Sequence, residues 1–125
     1  MARIVLVEDT DLLREALRVS LERAGHEIVT AASGLGIEGV VAQHKADLVI
    51  TDMLMPRRDG VETILALRRR HPNLRIIAMS GGGNRGNLDL GMARKLGVSA
   101  TLTKPFEPQE LVARVAEILA GPPPV

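Results

Sequence analysis

The chain alternates between short unbroken runs of aliphatic residues and longer stretches in which aliphatic residues recur at helical spacing. Ile4-Val5-Leu6-Val7, Leu48-Val49-Ile50 and Ile76-Ile77-Ala78-Met79 are bounded by polar or turn-forming residues, the pattern of strands buried on both faces of a parallel sheet. Residues 26–31 and 98–102 read as two more strands with a less uniform apolar content. Between them, Leu12, Leu13, Ala16, Leu17, Val19 and Leu21 form an amphipathic stripe that Thr10 or Asp11 can cap and Gly25 stops. A second helix is expected from Ser33 to about His44. Its glycines, Gly34, Gly36 and Gly39, each cost up to about 1 kcal/mol relative to alanine, which predicts the most mobile helix of the chain.

Val61, Ile64, Leu65 and Leu67 mark a third helix, opened by Asp59-Gly60 and closed by Arg68-Arg69-Arg70, cations that suit a helix C-terminus. A glycine-rich loop over 81–86 leads to a helix at about 88–96 that Gly97 ends, and Leu111, Val112, Val115, Ile118 and Leu119 mark a final helix. Gly121-Pro122-Pro123-Pro124-Val125 cannot continue it, so a domain over 1–120 is followed by an extended tail or the start of a linker at 121–125. Five strands alternating with five helices argue an α/β fold: a parallel sheet with right-handed crossovers and helices on both faces. In such sheets the working crevice lies beyond the carboxyl ends of the strands. Glu8, Asp9, Asp52, Ser80 and Lys104 all fall at strand ends.

Composition narrows what that rim can do. Of 125 residues, 46% are hydrophobic, and Phe106 is the only aromatic, so the core must be built from aliphatics and there is no Tyr or Trp to stack on bases. Sixteen Lys and Arg nearly balance fifteen Asp and Glu, which gives no electrostatic case for direct nucleic-acid binding. The absence of cysteine excludes disulfides, thiolate metal sites and thiol nucleophiles. No apolar run approaches the about 20 residues of a membrane span, and Glu8-Asp9 interrupt the first one, so no membrane association and a cytoplasmic location are expected. His26, His44 and His71 have no metal-ligand spacing and read as surface residues.

Three carboxylates in one crevice repel one another unless a cation neutralises them. With oxygen donors only, Mg²⁺ is the best match, held by one or two carboxylates, a carbonyl and water. Asp52 can then serve as a nucleophile towards a phosphoryl group, with Lys104 neutralising its oxygens and the Ser80 hydroxyl donating to another.

These residues, Glu8-Asp9, Asp52 with Met55-Pro56 and Gly60, Ser80-Gly81 and Lys104-Pro105-Phe106, resemble the motifs of a response-regulator receiver domain, and the resemblance spans essentially the whole chain. It implies a flavodoxin-like strand order 2-1-3-4-5 and phosphorylation of Asp52 by a sensor histidine kinase or phosphotransfer protein. It also implies Mg²⁺ held directly by Asp9, Asp52 and the Leu54 carbonyl, with Glu8 acting through water. Lys104 would contact the phosphoryl group, Ser80 would be the hydroxyl switch, and the Lys104-Pro105 bond would be cis. The output would go to a separate protein or a fused effector domain, through altered partner affinity or a phosphorylation-dependent dimer. Such a protein is a switch with self-catalysed phosphotransfer and dephosphorylation rather than an enzyme. The sequence departs from the family pattern at Thr101, where an aromatic is usual, and in the glycine content of 81–87.

Other readings of the same residues are weaker. Gly81-Gly82-Gly83-Asn84-Arg85-Gly86 matches G-x-G-x-x-G but follows the fourth strand, so a flexible loop over the phosphate site is expected instead of a dinucleotide fingerprint. A haloacid-dehalogenase-type phosphohydrolase would carry a second aspartate two residues after the nucleophile, where this chain has Leu54. The intact acidic set argues against the alternative of a receiver that docks without being phosphorylated, while Thr101 argues faintly for it.

Overall fold

A computed structural model describes residues 2–54, 58–81 and 83–121. The order is β1 (Arg3–Val7), α1 (Asp11–Arg23), β2 (Glu27–Ala31), α2 (Ile37–His44), β3 (Leu48–Asp52), α3 (Gly60–Arg70), β4 (Arg75–Ser80), α4 (Gly83–Lys95), β5 (Ala100–Thr103) and α5 (Pro108–Ala120). The strands form one parallel sheet in the order β2-β1-β3-β4-β5, as the alternation and the family resemblance imply. Among the described residues no helix is long and apolar enough to cross a membrane.

Strand alternation divides the core into two layers, because successive side chains point to opposite faces. Val5, Val7, Val49, Ile76 and Ala78 meet Ile37 and Val41 of α2, Ile64 and Leu67 of α3, and Leu90 and Ala93 of α4. Ile4, Leu6, Leu48, Ile50, Ile77, Met79 and Leu102 meet Leu17 and Leu21 of α1 and Leu111 and Val115 of α5. β3 is buried throughout, as its uninterrupted apolar run predicts for a central strand.

Two helices begin elsewhere than their sequence periodicity suggests. α2 starts at Ile37, not Ser33, because Gly36 adopts a left-handed φ of 75° as its N-cap, a conformation that costs glycine little and breaks the helix behind it. α4 starts at Gly83, so residues 83–86 form helix, not a flexible loop. Packing overrides the low helix propensity here. A Cβ at Gly86 would lie 1.7 Å from the Gly81 carbonyl oxygen, so only a glycine lets this helix rest on the end of β4. α1 ends as expected, with Gly25 at φ 98°, and Asp59 caps α3 by accepting from the Glu62 N–H at 2.9 Å.

Candidate functional site

Register and alternation bring the polar strand ends together. β1 and β3 pair with Val7 opposite Thr51, so Glu8 falls beside Asp52. Ser80 is opposite Thr103, one residue before Lys104. Glu8 continues the parity of Ile4 and Leu6, Asp52 that of Leu48 and Ile50, and Lys104 that of Leu102, all residues packed on the α1/α5 face. The three side chains therefore turn to one side of the sheet. Ser80 has the parity of Ile76 and Ala78 and turns towards the α4 face.

Lys104 is the hub. Its Nζ donates to Asp52 Oδ2 at 2.6 Å and to Glu8 Oε1 at 2.7 Å. Burial alone would pull its pKa down, but the hydrogen bonds it donates to Asp52 and Glu8 outweigh that and hold it above the ordinary lysine value. Glu8 is fully buried and Asp52 nearly so, and each second carboxylate oxygen is engaged by backbone. The Thr10 N–H donates to Glu8 Oε2 at 3.0 Å, and the Leu54 N–H donates to Asp52 Oδ1 at 3.2 Å. The Lys104-Pro105 bond is cis, and the Lys104 N–H donates to the Ser80 carbonyl at 2.7 Å, which anchors the lysine's backbone to β4.

Asp9 is the exposed member of the set. One carboxylate oxygen from each of Glu8, Asp9 and Asp52 lies within 4.8 Å of the other two. Partial burial and then the neighbouring Glu8 carboxylate raise the Asp9 pKa, with Lys104 only partly offsetting them. An all-oxygen cluster with uncompensated negative charge fits a hard divalent cation such as Mg²⁺. Ser80 is buried at the rim. Thr101 is half-buried and accepts a hydrogen bond from Arg94 of α4 at 3.2 Å. Met55, Pro56 and Gly82 lie outside the described residues.

Several residues that shape the site carry weak sequence signals. Gly60 reads as turn chemistry, yet its more stringent duty is steric: a Cβ there would sit 2.5 Å from Met53 Cα and 3.0 Å from the Asp52 carbonyl oxygen. Arg14 supports the β1–α1 turn by donating to the Glu8 carbonyl at 2.8 Å. Arg58 ties the segment after β3 to α2 through Glu38 at 2.6 and 3.1 Å. Neither arginine belongs to a recognisable motif, because each acts through a contact that only the fold creates.

The doubly wound parallel sheet, with buried carboxylates, a lysine and a hydroxyl at its carboxyl mouth, is the arrangement the family resemblance implies. The match is specific: residues 4–116 fit the family model described as the response regulator receiver domain, and the chain belongs to that family, as a receiver of two-component signal transduction. It is similar to the alkaline phosphatase synthesis transcriptional regulatory protein PhoP of Bacillus subtilis, 32% identical over 117 residues, covering 94% of this chain and 48% of the relative. It is also similar to the response regulator protein FleR of Pseudomonas aeruginosa, 36% identical over 121 residues, covering 96% of this chain and 25% of the relative. The chain thus spans about half or less of these curated relatives. Among solved structures, the receiver domain from Clostridium thermocellum superposes with a TM-score of 0.84 at 27% identity, covering 96% of this chain and 95% of that one. The chemotaxis response regulator CheY4 of Vibrio cholerae superposes with a TM-score of 0.83 at 25% identity, covering 94% and 98%.

Proposed function

We propose that Asp52 is the phosphoacceptor of this receiver and takes its phosphoryl group from the phosphohistidine of a sensor kinase or phosphotransfer protein. The observation that carries the reading is Lys104 Nζ bridging Asp52 and Glu8 at 2.6 and 2.7 Å, beside an acidic cluster that fits a divalent cation. An Asp52 carboxylate oxygen attacks phosphorus, the phosphorus–nitrogen bond to the donor imidazole breaks, and that nitrogen keeps the electron pair. Lys104, already protonated and oriented by Glu8, follows the new negative charge onto a phosphoryl oxygen. Ser80 donates its hydroxyl to another oxygen. Asp9, Asp52 and the Leu54 carbonyl would hold Mg²⁺, with Glu8 acting through water, and the ion would supply charge neutralisation on the transferring group. The acyl phosphate is later lost to water in a reaction that the same residues assist.

The product adds roughly two negative charges beside Ser80 and Lys104. Movement of Ser80 towards them biases the α4–β5–α5 side between two arrangements, changing affinity for an output protein or a fused effector domain, or between two copies of the chain. Thr101 replaces the usual aromatic in that readout, and its bond to Arg94 makes it a polar link between β5 and α4.

The test is incubation with acetyl phosphate and Mg²⁺ followed by intact mass. One phosphoryl adduct is expected, lost on removal of Mg²⁺ from the reaction and in Asp52→Asn. No adduct, or one that survives that substitution, refutes the assignment.

A further inference from the structure

The first turns of α4 carry a cation that the mechanism above does not use. Arg85 lines a cleft of about 140 Å³ together with Leu54, Ser80, Gly81, Gly86 and Asp89. This space opens beside the switch hydroxyl and the residue that follows Asp52 by two. Gly86 seats the helix there: a Cβ at that position would lie 3.2 Å from Ser80 Oγ, so the α4 backbone rests directly on the switch residue. The Arg85 guanidinium is held only loosely, 3.7 Å from Asp89 one turn on, and its side chain is 78% exposed.

Magnitudes decide where that guanidinium goes once a phosphoryl group arrives. An exposed i,i+4 ion pair contributes little, about 0–1 kcal/mol. A doubly charged phosphoryl group in a partly buried cleft offers Arg a planar, bidentate, charge-assisted contact that is much stronger. The other end of α4 is fixed. Arg68 of α3 donates to the Gly97 carbonyl at 2.7 Å and the Leu96 carbonyl at 3.3 Å, and Arg94 donates to Thr101. A pull on Arg85 therefore displaces the N-terminal turns of a helix anchored at its C-terminus.

We infer that Arg85 is a second phosphoryl-binding cation, which leaves Asp89 for the phosphoryl group on Asp52 and draws the N-terminal turns of α4 towards it. The inference rests on the phosphoacceptor assignment. It makes an arginine on α4 the messenger in a chain that has Thr101 where an aromatic would otherwise report on the site.

The probe is beryllofluoride, a phosphoryl stand-in, added with Mg²⁺ to wild type, Arg85→Ala and Arg85→Lys, with affinity measured by calorimetry and amide exchange followed over residues 83–90. Because the side chain is exposed, both variants should fold. Loss of one charge-assisted contact should weaken binding about tenfold in Arg85→Ala, with Arg85→Lys in between, and Arg85→Ala should lose the protection that wild-type α4 gains on binding. Equal affinity in wild type and Arg85→Ala overturns the inference whatever the exchange shows. Failure of wild type to bind beryllofluoride and to accept phosphate from acetyl phosphate instead refutes the phosphoacceptor assignment itself.

Discussion

At the residue scale, Lys104 holds two buried carboxylates that would otherwise face each other across β1 and β3. Removing one partner of a buried ion pair costs about 3–5 kcal/mol because the remaining charge is left uncompensated. The Lys104 side chain is 23% exposed, so solvent screening should reduce the cost of Lys104→Met to about 2 kcal/mol, read as a shift in urea midpoint. The pH dependence has a definite sign. The folded state raises the Lys104 pKa above its ordinary 10.5, so the stabilisation is complete below that value and disappears as pH rises through the raised one. Wild type should lose stability in that alkaline window, whereas Lys104→Met should lack that component of the decline.

At the element scale, glycines set how closely helices approach the site. α3 begins against the end of β3, where the Gly60 N–H donates to the Met53 carbonyl at 2.9 Å. A methyl group at Gly60 would meet backbone at 2.5 Å, and backbone yields less readily than the tip of a side chain. Gly60→Ala should therefore destabilise the domain by about 2 kcal/mol, seen in thermal unfolding, and slow phosphorylation of Asp52 by displacing the segment that carries Leu54. Gly86 makes the same kind of approach for α4. In both cases a glycine reads in the sequence as a turn or loop former, and its close contact is visible only when the neighbouring strand end is in place. Periodicity likewise does not locate the starts of α2 and α4, since it registers apolar spacing, whereas α2 is set by its N-cap Gly36 and α4 begins at Gly83.

At the scale of the whole molecule, the acidic rim is a local cost that the two core layers sustain. Asp9 holds its proton to higher pH when folded, so its contribution to stability is present below the ordinary carboxylate value and lost as pH rises through the raised one. At neutral pH the folded state carries that cost. Asp9→Asn should thus raise the melting temperature in the absence of divalent cations. Mg²⁺ should raise the melting temperature of wild type, by binding the folded state, and do so much less in Asp9→Asn. Differential scanning calorimetry with and without the ion checks both statements.

The sequence by itself determined the α/β class, the number of strands and the five polar residues of the rim. Those depend on local apolar runs and on which residue ends each run, and a one-dimensional pattern records both. Tertiary structure decided what that pattern cannot contain. Parallel register set Glu8 beside Asp52, shared strand parity turned Lys104 to meet them, the opposite parity turned Ser80 to the other face, and close backbone approach at Gly60 and Gly86 seated α3 and α4 on the site. The contacts of Arg14 and Arg58 join one helix to a strand end or elements far apart along the chain. Their partners come within reach only after the chain has folded.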